Sequence, residues 1–101
     1  MLYTISTSPY YTDFNSLIKL LTCHDEIVLI QDGVLMGHKM SSSNKYNNYL
    51  LQLKDKEINI FALRDDINGR GLIPYMSHYV RQISYVDFVQ LTAKHQQYFA
   101  W

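Results

Sequence analysis

The stretch "EIVLIQDG", residues 26–33, limits the fold more than any other. Ile27, Val28, Leu29 and Ile30 form a short, nearly continuous apolar run with β-branched residues. Its residues do not alternate, so neither of its faces is left for water. Such a run fits a strand covered on both sides, as in a parallel sheet. Asp32-Gly33 stops it. Parallel strands cannot be joined by hairpins and need crossovers, usually helical. The rest of the chain must therefore supply helices between strands.

It does so in order. "MLYTIST" is rich in β-formers and reads as a first strand. Pro9 breaks it within "SPYYTD", and Asp13 (or Thr12) is a plausible N-cap. Phe14, Leu17, Ile18 and Leu21 then fall at helical spacing, predicting a helix that ends near Thr22. "VLMGHKMSSSNKYNN" reads as a short helix followed by a polar loop. Tyr46, Tyr49, Leu50 and Leu53 predict a second helix capped by Asn44 or Ser43. "EINIFAL" is a third strand. In "RDDINGRGL", Asp65 and Asp66 suit a first helical turn and Gly69 or Gly71 its end. "HYVRQIS" is a fourth strand. "SYVDFVQLTAKH" is a further helix, with Val86, Val89 and Ala93 along one stripe and Phe88 and Leu91–Thr92 beside it. This alternation predicts a parallel α/β sheet with helices on both faces and right-handed crossovers. No repeat or linker divides the chain, so one domain over residues 1–101 is expected.

Charge narrows the partners. Nine basic residues balance nine acidic ones. That weighs against direct nucleic-acid binding, which needs a concentrated positive field. It also leaves little colloidal repulsion, which suits protein association. Nine tyrosines point the same way, since tyrosine is enriched at interfaces. No run approaches the ~20 apolar residues that span a bilayer. "MLYTISTSPYY" lacks a secretory leader, so a cytoplasmic location is expected. A single cysteine leaves no intramolecular disulfide and no zinc site built on a CxxC pair.

That cysteine stands in "LLTCHDEIVL". Cys23, His24 and Asp25 are the three chemical members of a nucleophilic triad. Triad members converge from distant positions, whereas consecutive residues point apart. Cys23 also lies at a predicted helix C-terminus, where the dipole disfavours a thiolate. The preferred reading is an inert thiol, with Cys23 kept as a side candidate for sulfur chemistry. Asp32 and Gly33 form a strand-to-loop exit of the kind where α/β proteins bind ligands, but without a dinucleotide or phosphate-loop motif. A structural turn is favoured there. Asp65 and Asp66 are expected to be solvated rather than Mg²⁺ ligands. His24, His38, His78 and His95 show no HxxxH spacing, so neither a metal nor a cofactor is expected. The tail "YFAW" is either docked on its own core or offered to a partner. Tyr98, Phe99 and Trp101 are accordingly the candidate interface residues.

Several segments together resemble the TusB/DsrH family of sulfur-relay proteins. They are the opening "MLYTISTSPY", the "TDF" before the first helix, "DEIVLIQDGV", "INIFALRDDINGRGL" and "ISYVDFVQLTAKHQQYFAW". They occur in order over most of the chain; residues 38–48 match least. The resemblance implies a three-layer α/β/α sandwich with a mostly parallel sheet of four to five strands. It implies a subunit without its own active-site cysteine in a TusBCD heterohexamer, beside TusC-like and TusD-like chains. That complex takes persulfide sulfur from TusA and passes it to TusE, towards 2-thiolation of the tRNA wobble uridine. Isolated, such a subunit is expected to be capable of self-association. Some DsrH relatives carry a cysteine in the first helix; counting back from Asp32-Gly33 places Leu17 at that position. The alternatives from the residues alone are a thiol or persulfide carrier using Cys23, and a small-ligand-binding α/β domain.

Overall fold

The structure is a computed structural model that describes residues 1–38, 44–95 and 97–101, with residues 44–47 described by their backbone only. The polar loop expected in the middle of the chain, and Ser43 as a cap, fall outside the described residues. So do the side chain of Tyr46 and all of Gln96.

Among the described residues, five strands make one sheet: β1 (Leu2–Ile5), β2 (Glu26–Leu29), β3 (Asn59–Leu63), β4 (Arg81–Ile83) and β5 (Tyr98–Ala100). Their spatial order is β4-β3-β2-β1-β5, and every neighbouring pair is parallel. The "EIVL" run is a central strand, paired on both sides and buried at every residue. The helices are α1 (Phe14–Leu20), α2 (Asn44–Asp55), α3 (Arg64–Gly69) and α4 (Tyr85–Lys94). Asp13 caps α1, its carboxylate accepting from the Ser16 amide at 3.1 Å. The short helix expected after Asp32 is a 3₁₀ segment, Gln31–Gly37.

The chain walks β1→β2→β3→β4 in one direction, then returns across the whole sheet to β5. With right-handed crossovers, the outward steps put their helices on one face and the return puts α4 on the other. The packing agrees. Phe14, Leu17 and Ile18 of α1, Leu50 and Leu53 of α2, and Ile67 of α3 join Ile5, Ile27, Leu29, Ile60 and Ala62 of the sheet in one cluster. On the opposite face Leu2, Val28, Phe61 and Ile83 meet Phe88 and Leu91 of α4. The result is a three-layer α/β/α sandwich.

Two expectations change. The sequence grouped Val86, Val89 and Ala93 as the stripe of α4, with Phe88 and Leu91–Thr92 beside it. The structure turns Phe88 and Leu91 to the sheet and leaves Val86 and Val89 65% and 48% exposed. The tail "YFAW", left outside the four-strand pattern, supplies β5, which pairs with β1 in the register Leu2↔Tyr98 and Thr4↔Ala100.

Candidate functional site

The carboxyl ends of parallel strands are where α/β sheets usually bind ligands, at the point where the direction of winding reverses. Here that point lies between β1 and β5, and the chain's own Trp101 sits beside it. Its amide donates to the Thr4 carbonyl at 2.9 Å, and its indole Nε1 donates to the Asp13 carbonyl at 3.1 Å. The ring lies edge-on to Tyr3, centroids 6.4 Å apart, and packs on the main core. Trp101 is thus docked, while Tyr98 and Phe99 are 63% and 51% exposed. The two halves of the tail have different surroundings.

The turn after β2 is tightly fitted. A Cβ on Gly33 would stand 2.0 Å from the Ile5 carbonyl oxygen, so the close approach of the two backbones requires glycine. Gln31 has φ +49°, and its amide donates to Asp66 Oδ2 at 2.8 Å. The Asp32 carboxylate meets a distant side chain rather than nearby amides: Arg70 Nη2 donates to Oδ1 at 2.8 Å and Nε at 3.2 Å. Asp66 therefore braces the turn from α3, while Asp65 is exposed. Among the described residues, no three His, Cys, Asp or Glu side chains converge on a point that would hold a metal ion.

Cys23 and His24 lie exposed in the turn between α1 and β2. The Asp25 carboxylate bonds elsewhere. Its Oδ2 accepts from the Thr22 amide at 2.9 Å, and its Oδ1 accepts from the Met1 ammonium at 2.9 Å. Burial pushes the Asp25 carboxyl up, but the hydrogen bonds from Thr22 and the ammonium outweigh it and leave the group below its ordinary value. Asp25 therefore ties the turn to the chain's start instead of orienting a base. Leu17 is fully buried in the core.

One cluster escaped sequence reading. Glu26 begins a buried strand and is itself only 5% exposed. Its Oε2 accepts from Asn59 Nδ2 at 3.0 Å, and its Oε1 meets Lys94 Nζ at 3.0 Å and His95 Nε2 at 2.6 Å. Burial pushes the Glu26 carboxyl up, but hydrogen bonds from His95, Asn59 and Lys94 more than offset it, and the group lies below its ordinary value. The only sequence signal was an acid placed at the head of an apolar run, since buried carboxylates require partners.

The remaining feature is apolar and exposed. Tyr85, Phe88, Val89 and Thr92 of α4 and Tyr98 of β5 line one shallow depression. Val86 stands next to it on the same helix. A cleft of about 390 Å³ on the other side of α4 is wide enough for a small molecule. Its charges oppose one another, with Arg81 and Lys94 against Glu26 and Asp87, so it selects neither anion nor cation.

Relatives place this arrangement in a family. Residues 7–98 match the model of the DsrH-like proteins. The chain belongs to the TusB/DsrH family. It is 48% identical to Protein TusB of Photorhabdus laumondii and 43% identical to Protein TusB of Yersinia pestis, over 100% of both chains in each case. Solved structures share the fold at much lower identity. The ychN protein from E. coli superposes with a TM-score of 0.77 at 16% identity, over 99% of this chain and 97% of that one. Protein Tm0979 from Thermotoga maritima gives 0.64 at 21% identity, over 96% and 97%. The TusB/DsrH fold thus persists where sequence likeness is nearly gone, which fits an architecture set by the parallel sheet and its crossovers.

Proposed function

We propose that the chain is a non-catalytic structural subunit of a TusBCD-like sulfur-relay complex. It assembles with TusC-like and TusD-like chains, two copies of each, in the cytoplasm. The complex relays persulfide sulfur from TusA to TusE for 2-thiolation of the tRNA wobble uridine. This subunit touches the tRNA at no stage and contributes surface, not chemistry.

The observation that carries this reading is the apolar strip of Tyr85, Val86, Val89 and Tyr98, on a chain whose Asp25 is bonded to Thr22 and Met1 rather than to Cys23 or His24. Apolar residues grouped in this way mark interaction sites. Phe99, also exposed, lies on the other side of β5 beside Tyr3 and Trp101. Trp101 supports the strip from behind by fixing β5 to β1. Full-length likeness to proteins named TusB supports the assignment of partners.

Co-expression with TusC-like and TusD-like chains tests it. A stable complex on size-exclusion chromatography is expected. A clean monomer that binds neither chain overturns the reading. Cys23→Ser is expected to leave tRNA thiolation unchanged; its loss would make this chain a sulfur carrier.

A further inference from the structure

Residues 84–101 are attached differently from the rest of the chain. The segment leaves one edge of the sheet at β4 and returns at the other edge as β5, so α4 crosses the sheet as a strap. No residue of α4 is fully buried. Its apolar hold is limited to Phe88 and Leu91 on a four-residue cluster. Its start is closed by a local capping box between Ser84 and Asp87, which binds it to nothing else. At its far end, Lys94 and His95 converge on Glu26, and Trp101 then docks beside β1.

We propose that Glu26 is the clasp of this strap: through Lys94 and His95 it holds α4 and β5 against the sheet, and losing its charge releases residues 84–101 as one unit. The clasp is placed to work this way. Glu26 belongs to the central strand β2, whose other side chains are packed into the core, so the carboxylate is a fixed point. His95 is the residue at which α4 ends, three positions before β5 begins. Holding His95 therefore sets both the helix and the strand that follows. Three groups bond the carboxylate. Asn59 donates from β3, Lys94 and His95 donate from the strap, and Arg81 of β4 and Asp87 of α4 line the same cleft. The Met1 ammonium nearby is already taken by Asp25. A neutral Glu26 keeps Asn59 but loses its charge attraction to Lys94 and the strength of a carboxylate acceptor for His95 Nε2. Elements held by few buried contacts open as units well below the free energy of global unfolding.

The consequence concerns surface. Tyr85, Val86, Val89 and Tyr98 all lie on the strap, so the strip exists as a shaped patch only while the clasp is closed. The inference itself does not need the assembly reading, because it is tested on the full chain alone.

The test is native-state hydrogen exchange resolved by segment, at neutral pH, on the wild type and on Glu26→Gln. The expected result is amide exchange about ten-fold or more faster across residues 85–100 in the variant, with β3 and α2 unchanged. The single tryptophan, Trp101, should show a red-shifted emission as it leaves Tyr3. Equal acceleration in all segments would make Glu26 an ordinary core support and overturn the clasp, as would no change anywhere. Should Glu26→Gln fail to fold, Asp25→Asn decides, because it removes the neighbouring carboxylate that titrates in the same sense and keeps Glu26. On lowering the pH towards 4, exchange corrected for intrinsic rates should rise first in residues 85–100. A uniform rise, or none before global unfolding, overturns the inference.

Discussion

The two faces of the sheet differ in depth. Under α1, α2 and α3, the described residues include 19 buried apolar side chains in one cluster; under α4 there are four. The same β2 strand feeds both, with Ile27 and Leu29 on the deep side and Val28 on the shallow one. The deep face holds the fold together. The shallow face is covered by one amphipathic helix whose outer side is also apolar. A helix that is apolar on both sides is normally buried between two layers. Among the described residues only one layer is present, which is the gap that the proposed partner chains would cover.

The largest effect should come from the deep face. Leu53 of α2 is 1% exposed, and Leu53→Ala should cost about 2–5 kcal/mol, by lost transfer energy and a residual cavity. Urea unfolding would show a lower midpoint at an unchanged slope. Phe88→Ala on the shallow face should cost less, about 1–2 kcal/mol, because the ring is only partly buried. A reversed order would break the distinction between the faces.

How much of this was legible follows from periodicity. The β2 run declared a parallel sheet because both of its faces are apolar, and the alternation of elements implied the crossovers. The choice between the two stripes of α4 was not legible. Val86 and Val89 are as apolar as Phe88 and Leu91, and helical spacing alone does not say which pair meets the sheet. β5 was hidden because three exposed residues, Tyr98 to Ala100, carry no inward-outward pattern. Their pairing depends on β1, almost the whole chain away. The Glu26 cluster was invisible for the same reason: its partners lie 33 to 69 positions further on. Asp32 and Gly33 were legible as a turn, but the Arg70 bond and the close approach to Ile5 are facts of the third dimension.

The next effect is a pH dependence on the shallow face. The folded state holds the Glu26 carboxyl below its ordinary 4.5. Its ionised form is therefore favoured by folding. The contribution is fully present above about pH 4.5 and is lost as the pH falls through the lower folded value. A hydrogen-bonded carboxylate of this kind contributes on the order of 1 kcal/mol. Asp25 titrates in the same sense, so the wild-type profile alone does not separate them. Stability measured by urea at stepped pH should fall less steeply below pH 4.5 in Glu26→Gln. Identical profiles for variant and wild type would remove Glu26 from the account.

The smallest effect on stability, and the most informative, belongs to the outer stripe of α4. Val86→Ser and Val89→Ser remove side chains that are 65% and 48% exposed. Surface changes of this kind usually shift stability by no more than about 0.5 kcal/mol in either direction. Yet the same residues are the apolar cover that the shallow face offers outward. The double variant should therefore unfold at nearly the wild-type urea concentration while failing to join TusC-like and TusD-like chains in co-expression. An intact complex would move the interface off α4, towards Phe99 on the other side of β5. A large loss of stability would mean that α4 is held by more than Phe88, Leu91 and the Glu26 clasp. Val86 and Val89 separate holding the fold from offering a surface, because each contributes little to the first.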